Sequence, residues 1–273
     1  MKIVVILTCY NRKEKTENCI RTLVSGNPNC EFVFVVVDDN SSDGTQEVIS
    51  KMKDKFDIHL LRSSGNLFYS AGMRVGMQYV MDSIKQIYDH ILLVNDDVTF
   101  FEQCVEKMAE QSAQQDNAVI VGATHDGNGM LSYSAIKYTK GIRYEKLNID
   151  EWQTEADTFN GNCVLIPRTI FLQVGVMDRH YSHSLGDFDY GLLIKKNGHK
   201  VYVFKKYVGI CENNSAKGTW MDTSLSRRLR LKKKEDIKGA PFRPWFYFLK
   251  KNFGLVVAIK GGLTPYIRIF IKK

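Results

Sequence analysis

The sequence predicts an α/β protein built on a mixed, mostly parallel central sheet flanked by helices. Three observations predict it. Apolar runs at 3–7, 32–37 and 91–94 have the length and continuity of strands buried on both faces. The segments between them carry helical spacing, and strand–helix–strand alternation of this period gives parallel pairing. Two of the strands end abruptly in paired carboxylates, Asp38-Asp39 and Asp96-Asp97. In open α/β sheets, ligands gather outside the carboxyl ends of strands.

A chain of 273 residues, 44% apolar with five prolines, buries a real core as one large domain or one domain plus an appendage. The six cysteines (9, 19, 30, 104, 163 and 211) form no CxxC pair, which predicts free thiols in a reducing compartment, most of them in the core. Met1-Lys2 leads into a five-residue apolar run, too short for a signal peptide. No run reaches the roughly 18 apolar residues of a spanning helix. The expectation is a cytoplasmic protein, peripheral on the inner face of the plasma membrane. The net charge of +8 is uneven: Arg227, Arg228, Arg230, Lys232, Lys233 and Lys234 lie within eight residues. Such a run is either a solvated face or a patch for an anionic membrane, an anionic substrate or nucleic acid.

In order, the first strand (3–7) closes in Thr8-Cys9-Tyr10-Asn11-Arg12, and a helix over 13–25 buries Ile20, Leu23 and Val24. Gly26-Asn27-Pro28-Asn29 breaks it. The second strand (32–37) ends in Asp38-Asp39-Asn40-Ser41-Ser42-Asp43-Gly44-Thr45, where Ser42 or Asp43 can cap a helix with Val48, Ile49, Met52 and Phe56 inward. A third strand spans 58–61. Small residues at 70–72 and 76, opening a helix to about residue 84, permit close approach of a ligand or another element. Neither a GxGxxG nor a Walker phosphate loop follows the first strand.

Strand 91–94 then presents Asn95-Asp96-Asp97, a costly ending unless something positive sits there. An Asx-type turn also ends strands this way, but a second strand with the same ending and a third acidic cluster favour a ligand site. A surface helix over 102–115, a strand at 119–121 and a mobile polar loop at 125–134 follow. After Phe159-Asn160-Gly161-Asn162 comes another strand. Gly186-Asp187-Phe188-Asp189 then opens a helix, its acids favoured at the positive end and Gly198 closing it before a strand at 200–204.

Thr8–Arg12, Val37–Thr45, Asn95-Asp96-Asp97 and Gly186–Asp189, in this order and spacing, resemble the family 2 inverting glycosyltransferases of the GT-A fold. The resemblance covers about residues 1–215 as a catalytic domain, leaving 216–273 as a basic, aromatic C-terminal helical extension. The stretch 66–76 further resembles members that include bacterial rhamnosyltransferases. The resemblance implies transfer of a sugar from a UDP, dTDP or GDP donor to a hydroxyl of a glycan or lipid-linked acceptor, in surface polysaccharide synthesis. Asp39 would hydrogen-bond the base with Thr8 beside it; Tyr10, Asn11, Asn66 and Gly72 would belong to the nucleotide site. Asp96 would contact the ribose, Asp97 would hold Mg²⁺ or Mn²⁺, and Asp187 would be the general base. Asp189 would raise the pKa of Asp187 by like-charge repulsion or serve the acceptor, with Asn160.

Two residues depart from the family pattern. Many members supply a metal-binding histidine after the last strand, where this chain has Gly209-Ile210-Cys211-Glu212-Asn213; Glu212 or Asn213 would substitute with oxygen. Arg74 replaces a common Asn and would meet the phosphates or face solvent. His180 and His183 read as loop histidines or as acceptor contacts. In the extension, residues 217–220 read as a loop over the donor. Aromatics interleaved with Lys and Arg at 241–253 have the composition of an interfacial membrane segment. The same composition suits single-stranded nucleic acid or a helix packed on the domain, but a polymer-building transferase meets its lipid-linked acceptor at a membrane. Two alternatives remain: a catalytically inactive nucleotide-sugar-binding relative, against which Asp97 and Asp187 together argue, and a nucleotidyltransferase. The latter class wants a Gly- and Lys/Arg-rich loop where this chain has Cys9-Tyr10-Asn11.

Overall fold

The computed structural model describes residues 1–271. Its first half runs β1 (Lys2–Cys9), α1 (Lys13–Gly26), β2 (Glu31–Asp38), α2 (Thr45–Met52), β3 (Asp57–Arg62), α3 (Phe68–Ser83) and β4 (His90–Asn95). There follow β5 (Thr99–Phe100), helix α4 (Cys104–Gln114), β6 (Val119–His125), β7 (Leu131–Tyr133), β8 (Ala135–Lys140), β9 (Arg143–Lys146), β10 (Thr158–Phe159) and β11 (Cys163–Pro167). Then come α5 (Arg168–Val174), α6 (Gly186–Lys196) and β12 (Val201–Ile210). Three helices, α7 (Arg227–Glu235), α8 (Phe242–Phe253) and α9 (Leu255–Ile271), form the C-terminal extension.

The main sheet has the order β3-β2-β1-β4-β11-β6-β12-β5, with β7 on β6. β3, β2, β1 and β4 are mutually parallel, β11 inserts antiparallel, and β12 runs parallel to β6. The predicted mixed, mostly parallel sheet is thus observed. The continuous apolar runs have a simple cause: both faces are covered. Ile3, Val5 and Leu7 meet α1, α2 and α4 through Ile20, Leu23, Ile49 and Met108. Val4 and Ile6 meet α3, α5 and α6 through Met73, Met77, Phe171 and Ile194. All six cysteines are free thiols, five of them buried.

The small residues of α3 serve packing. A Cβ on Gly76 would lie 2.6 Å from Ile6 Cγ2, and one on Gly72 2.6 Å from Thr8 Oγ1. Arg74 neither meets the cleft nor points to solvent. Its Nη1 donates to the carbonyls of Asp178 (3.2 Å) and Tyr181 (3.1 Å), tying α3 to the loop before α6. Residues 125–134, predicted as a mobile loop, form an Asx turn in which Asp126 Oδ1 accepts from the amides of Asn128 and Met130, followed by β7. Residues 135–159 form β8, β9 and β10, a small second sheet.

The three C-terminal helices fold onto the sheet-bearing part of the chain. Phe248 and Leu249 of α8 are buried with Tyr181, and Trp245 stacks on Phe248. Beneath them Lys251 Nζ lies 2.8 Å from Asp178 Oδ2 and 2.6 Å from Asp189 Oδ2. Asn252 donates to Asp189 Oδ1, and Tyr247 to Asp178. The aromatic segment 241–253 therefore turns mainly inward, because a charged anchor seats α8 against α6. In the basic run, Arg230 and Lys234 are buried, donating to the carbonyls of Trp220 and Ala240, while Arg227, Arg228 and Lys232 are exposed. Residues 272 and 273 of the predicted extension lie outside the described residues.

Candidate active site

The carboxyl ends of β1, β2 and β4, the start of α6 and the extension enclose a cleft of about 900 Å³. Thr8, Tyr10, Asp39, Asn66, Asp96, Asp97, Asn160, His183 and Asp187 all line it, so acids from three distant parts of the chain share one cavity. Asn11, Gly72, Asp189, Glu212 and Asn213 do not line it. Asn11 Oδ1 instead accepts from the Ser42 amide at 2.8 Å, bracing the loop after β2. Gly72 lies behind Thr8, where the missing Cβ lets α3 press on β1.

At one end Asp39 is buried, and its Oδ1 accepts from Ser63 Oγ (2.7 Å) and the Leu67 amide (3.0 Å). Its Oδ2 accepts from the Phe68 amide (3.0 Å). A carboxylate offers about four acceptor positions; one remains on Oδ2. Asp39 thus shapes the 63–68 loop and can still receive one N–H from a ligand.

At the centre, the end of β4 sets Asp96 and Asp97 side by side, and a cation is already there. Arg12 Nη1 lies 2.9 Å from Asp96 Oδ1 and 2.8 Å from Asp97 Oδ2. Burial pushes the Asp96 carboxyl up to about 6 against the pull of Arg12. On the other side of Asp97, the Cys211 thiol stands 3.5 Å from Oδ1. Cys211, rather than Glu212 or Asn213, touches Asp97. Glu212 accepts from the Gly127 amide at 3.1 Å and shares with Asp97 a second, smaller cavity of about 190 Å³. Among the described residues no three His, Cys, Asp or Glu side chains stand together as a metal cage. One hard carboxylate fits a Mg²⁺ or Mn²⁺ that arrives with diphosphate oxygens, not an ion the protein holds alone.

At the far end Asp187 sits in the first turn of α6. Its Oδ2 accepts from the Gly161 amide (3.0 Å) and its Oδ1 from the Phe188 amide (2.9 Å). Burial raises its pKa, with those two amides opposing. Asp189 is not a cause. Two residues apart on a helix, the acids face different ways, and Asp189 points into the Lys251 anchor. Gly161 is sterically required: a Cβ there would meet Tyr69 Oη at 2.0 Å. Three cleft atoms, Asn95 Oδ1, Asn160 Oδ1 and His183 Nδ1, are buried without a hydrogen-bond partner. Such groups are costly unless a ligand satisfies them. Burial lowers His183 to about 4, keeping the ring neutral near pH 7. His180 instead stacks on Tyr247 at 4.0 Å, outside the cleft.

Several lining residues were not singled out from the sequence. Tyr138, Tyr144 and Phe188 form an aromatic wall, with Tyr144 edge-on to Phe188 at 5.5 Å. Trp220, Met221, Lys238, Trp245 and Phe248 of the extension complete it. Trp220 falls in the loop predicted over 217–220, Phe188 in the acidic motif and Trp245 and Phe248 in the aromatic segment 241–253, whereas Tyr138, Tyr144, Met221 and Lys238 carried no sequence signal.

The fold has counterparts among known proteins. A low-salt glycan biosynthesis hexosyltransferase, Agl10, of Haloferax volcanii is 21% identical over 184 residues, 65% of this chain and 56% of that protein. An uncharacterized glycosyltransferase (MG060 homolog) of Mycoplasma pneumoniae is 29% identical over 124 residues, 44% of this chain and 40% of that protein. The match thus spans about half the length of these relatives. Among solved structures, S. aureus TarS 1–349 in complex with UDP-GlcNAc superposes with a TM-score of 0.60 at 15% identity, over 98% of this chain and 81% of that one. Mannosyltransferase PcManGT from Pyrobaculum calidifontis, in complex with GDP-Man and Mn²⁺, gives 0.59 at 12% identity, over 98% and 70%. These likenesses show the GT-A fold. The profile described as "Glycosyl transferase family 2" matches residues 4–175, from β1 through the acid-bearing strands to the end of α5. The chain therefore belongs to glycosyl transferase family 2.

Proposed function

We propose that the chain moves a sugar from a UDP, dTDP or GDP donor to a hydroxyl of a glycan or lipid-linked acceptor, with inversion, in surface polysaccharide synthesis at the cytoplasmic face of a membrane. The observation that carries this reading is the single cleft shared by Asp39, Asp96, Asp97 and Asp187. The donor's base pairs with the free acceptor position of Asp39 beside Thr8, its ribose meets Asp96, and its diphosphate lies against Asp97. Asp97 would hold a Mg²⁺ or Mn²⁺ brought with that diphosphate, which would offset the charge of the leaving group.

Asp187 then takes the proton of the attacking hydroxyl. The acceptor oxygen bonds to the anomeric carbon as the bond from that carbon to the diphosphate breaks, and nucleoside diphosphate departs. Inversion follows from one base and one displacement; retaining glycosidases use a second carboxylate as nucleophile. Amides from Gly161 and Phe188 fix the Asp187 carboxylate, and the aromatic wall offers faces for sugar rings. The unpaired Asn160 and His183 atoms suit sugar hydroxyls.

A hydrolysis assay across UDP-, dTDP- and GDP-sugars, with Mn²⁺ and with chelator, tests the reading. Release of nucleoside diphosphate from at least one donor supports it; no release from any would favour an inactive binding relative. Asp97→Ala is expected to weaken metal-dependent donor binding by about tenfold or more, read by calorimetry. Equal affinities with and without metal would remove Asp97 from that role. Arg12→Gln is expected to raise the affinity for Mn²⁺ in the presence of saturating nucleoside diphosphate by about tenfold, because the guanidinium competes for the same Asp97 oxygen. An unchanged manganese titration with nucleoside diphosphate present, followed by electron paramagnetic resonance, would count against that competition.

A further inference from the structure

The outer face of α9 is apolar and bare. Leu255, Val256, Ile259, Leu263, Ile267, Phe270 and Ile271 are each at least half exposed, from 51% for Ile267 to 74% for Ile271. At 100° per residue they fall within one arc of about 160°. The opposite face is spent on packing: Ala258, Gly261, Gly262, Pro265 and Ile269 are buried. That packing fixes the helix in rotation. A Cβ on Gly261 would lie 2.9 Å from Leu249 Cδ1, and Trp245 Nε1–H donates to the Gly261 carbonyl at 3.1 Å. The stripe therefore has nowhere to turn inward. Exposed apolar patches of this continuity mark interaction surfaces.

Charge identifies the occupant. Residues 216–273 hold fifteen lysines and arginines against three acids, whereas the whole chain has a net charge of only +8. α9 itself contains no acid, and Lys260 and Arg268 are exposed beside the stripe. α7, which packs on α9, adds exposed Arg227, Arg228 and Lys232. An apolar arc flanked by cations is the pattern of a helix lying in the headgroup region of an anionic bilayer. A second copy fits poorly, since pairing two stripes would bring like charges together. No helix among the described residues is long and apolar enough to cross a membrane.

We infer that α9 lies in the plane of an anionic lipid surface, with Ile259, Leu263 and Ile267 inserted. The sequence points to 241–253 for such contact, but α8 stands between α9 and the cleft, with Trp245 touching both. Docking through α9 thus brings the aromatic wall to the bilayer, where a lipid-linked acceptor would enter. This last step alone rests on the proposed sugar transfer.

The test is flotation of the full chain with vesicles of phosphatidylcholine alone and of phosphatidylcholine with phosphatidylglycerol in equal amounts. The wild type is expected to float with the anionic vesicles at least about tenfold more than with the neutral ones. The triple variant Ile259→Ser, Leu263→Ser, Ile267→Ser is expected to lose that binding at unchanged melting temperature, the three positions being exposed. Donor hydrolysis without vesicles, measured on both proteins, is expected to be equal. Equal flotation of variant and wild type would overturn the inference. So would a wild type that ignores vesicles and whose dimer in sedimentation becomes a monomer in the variant. Flotation without hydrolysis of any donor would leave the lipid surface standing and remove the sugar-transfer reading instead.

Discussion

Asp187→Asn is expected to lower turnover by about a hundredfold or more while donor affinity stays within a factor of a few. The substitution keeps the size and one oxygen, so the Phe188 amide retains an acceptor while that of Gly161 loses one. What disappears is the buried carboxylate that lines this end of the cleft and can take a hydroxyl proton; His183, which lines the same cleft, keeps a neutral ring with an unpaired nitrogen. The pH profile separates this role from a merely structural one. Burial raises the Asp187 pKa, so the wild-type rate should fall with acid through a midpoint above the ordinary aspartate value. In the Asn variant that limb should vanish. Unchanged turnover, or an unchanged acid limb, would take Asp187 out of the reaction.

Lys251→Met is expected to destabilise the protein by about 3–5 kcal/mol, the usual cost of removing one partner from a buried charge network. Asp189 is 1% exposed, and Lys251 is its cation. Without that cation, Tyr181 and Asn252 still donate hydrogen bonds, but the charge is uncompensated. The loss should appear as a lower denaturant midpoint and as proteolysis between α6 and α8. The double variant Lys251→Met, Asp189→Asn should recover much of the stability, because the charge leaves with its partner. Asp178 is held well below the usual carboxylate range by burial-opposing hydrogen bonds from Lys251 and His180. A depressed folded pKa stabilises above the unfolded value of about 3.9. That contribution is complete at neutral pH and is lost as the pH falls below about 4.

The sheet was legible because each buried strand needs an unbroken apolar run, and the acids were legible because two such runs end in paired carboxylates and a third acidic cluster follows, where a single such ending would suit an Asx-type turn. Asp39, Asp96, Asp97 and Asp187 therefore stood out before any geometry. Arg12 did not, although it lies within the opening motif, because its partners are 84 and 85 residues away and no local pattern announces a cross-strand ion pair. The aromatic wall stayed hidden for a related reason. Tyr138 and Tyr144 sit on strands β8 and β9, short and mostly exposed or half-buried, which give little periodicity to read. Asp189 misled by adjacency: neighbours in sequence, it and Asp187 diverge on the helix, and one serves the cleft while the other clamps the extension. The membrane-like composition of 241–253 belongs to a helix that packs inward, and the bare stripe lies one helix later, where the burial of Gly261 and Gly262 decides which face is left outside.

The most direct measurement is a crystal structure of the chain soaked with a nucleoside diphosphate and Mn²⁺. The expected density shows the base against Asp39 and Thr8, the ribose at Asp96, the diphosphate and metal at Asp97 with Arg12 displaced, and Asp187 facing the open end beyond the last phosphate. Nucleotide bound outside this cleft, or lying with its diphosphate toward Asp39 and its base toward Asp187, would contradict it.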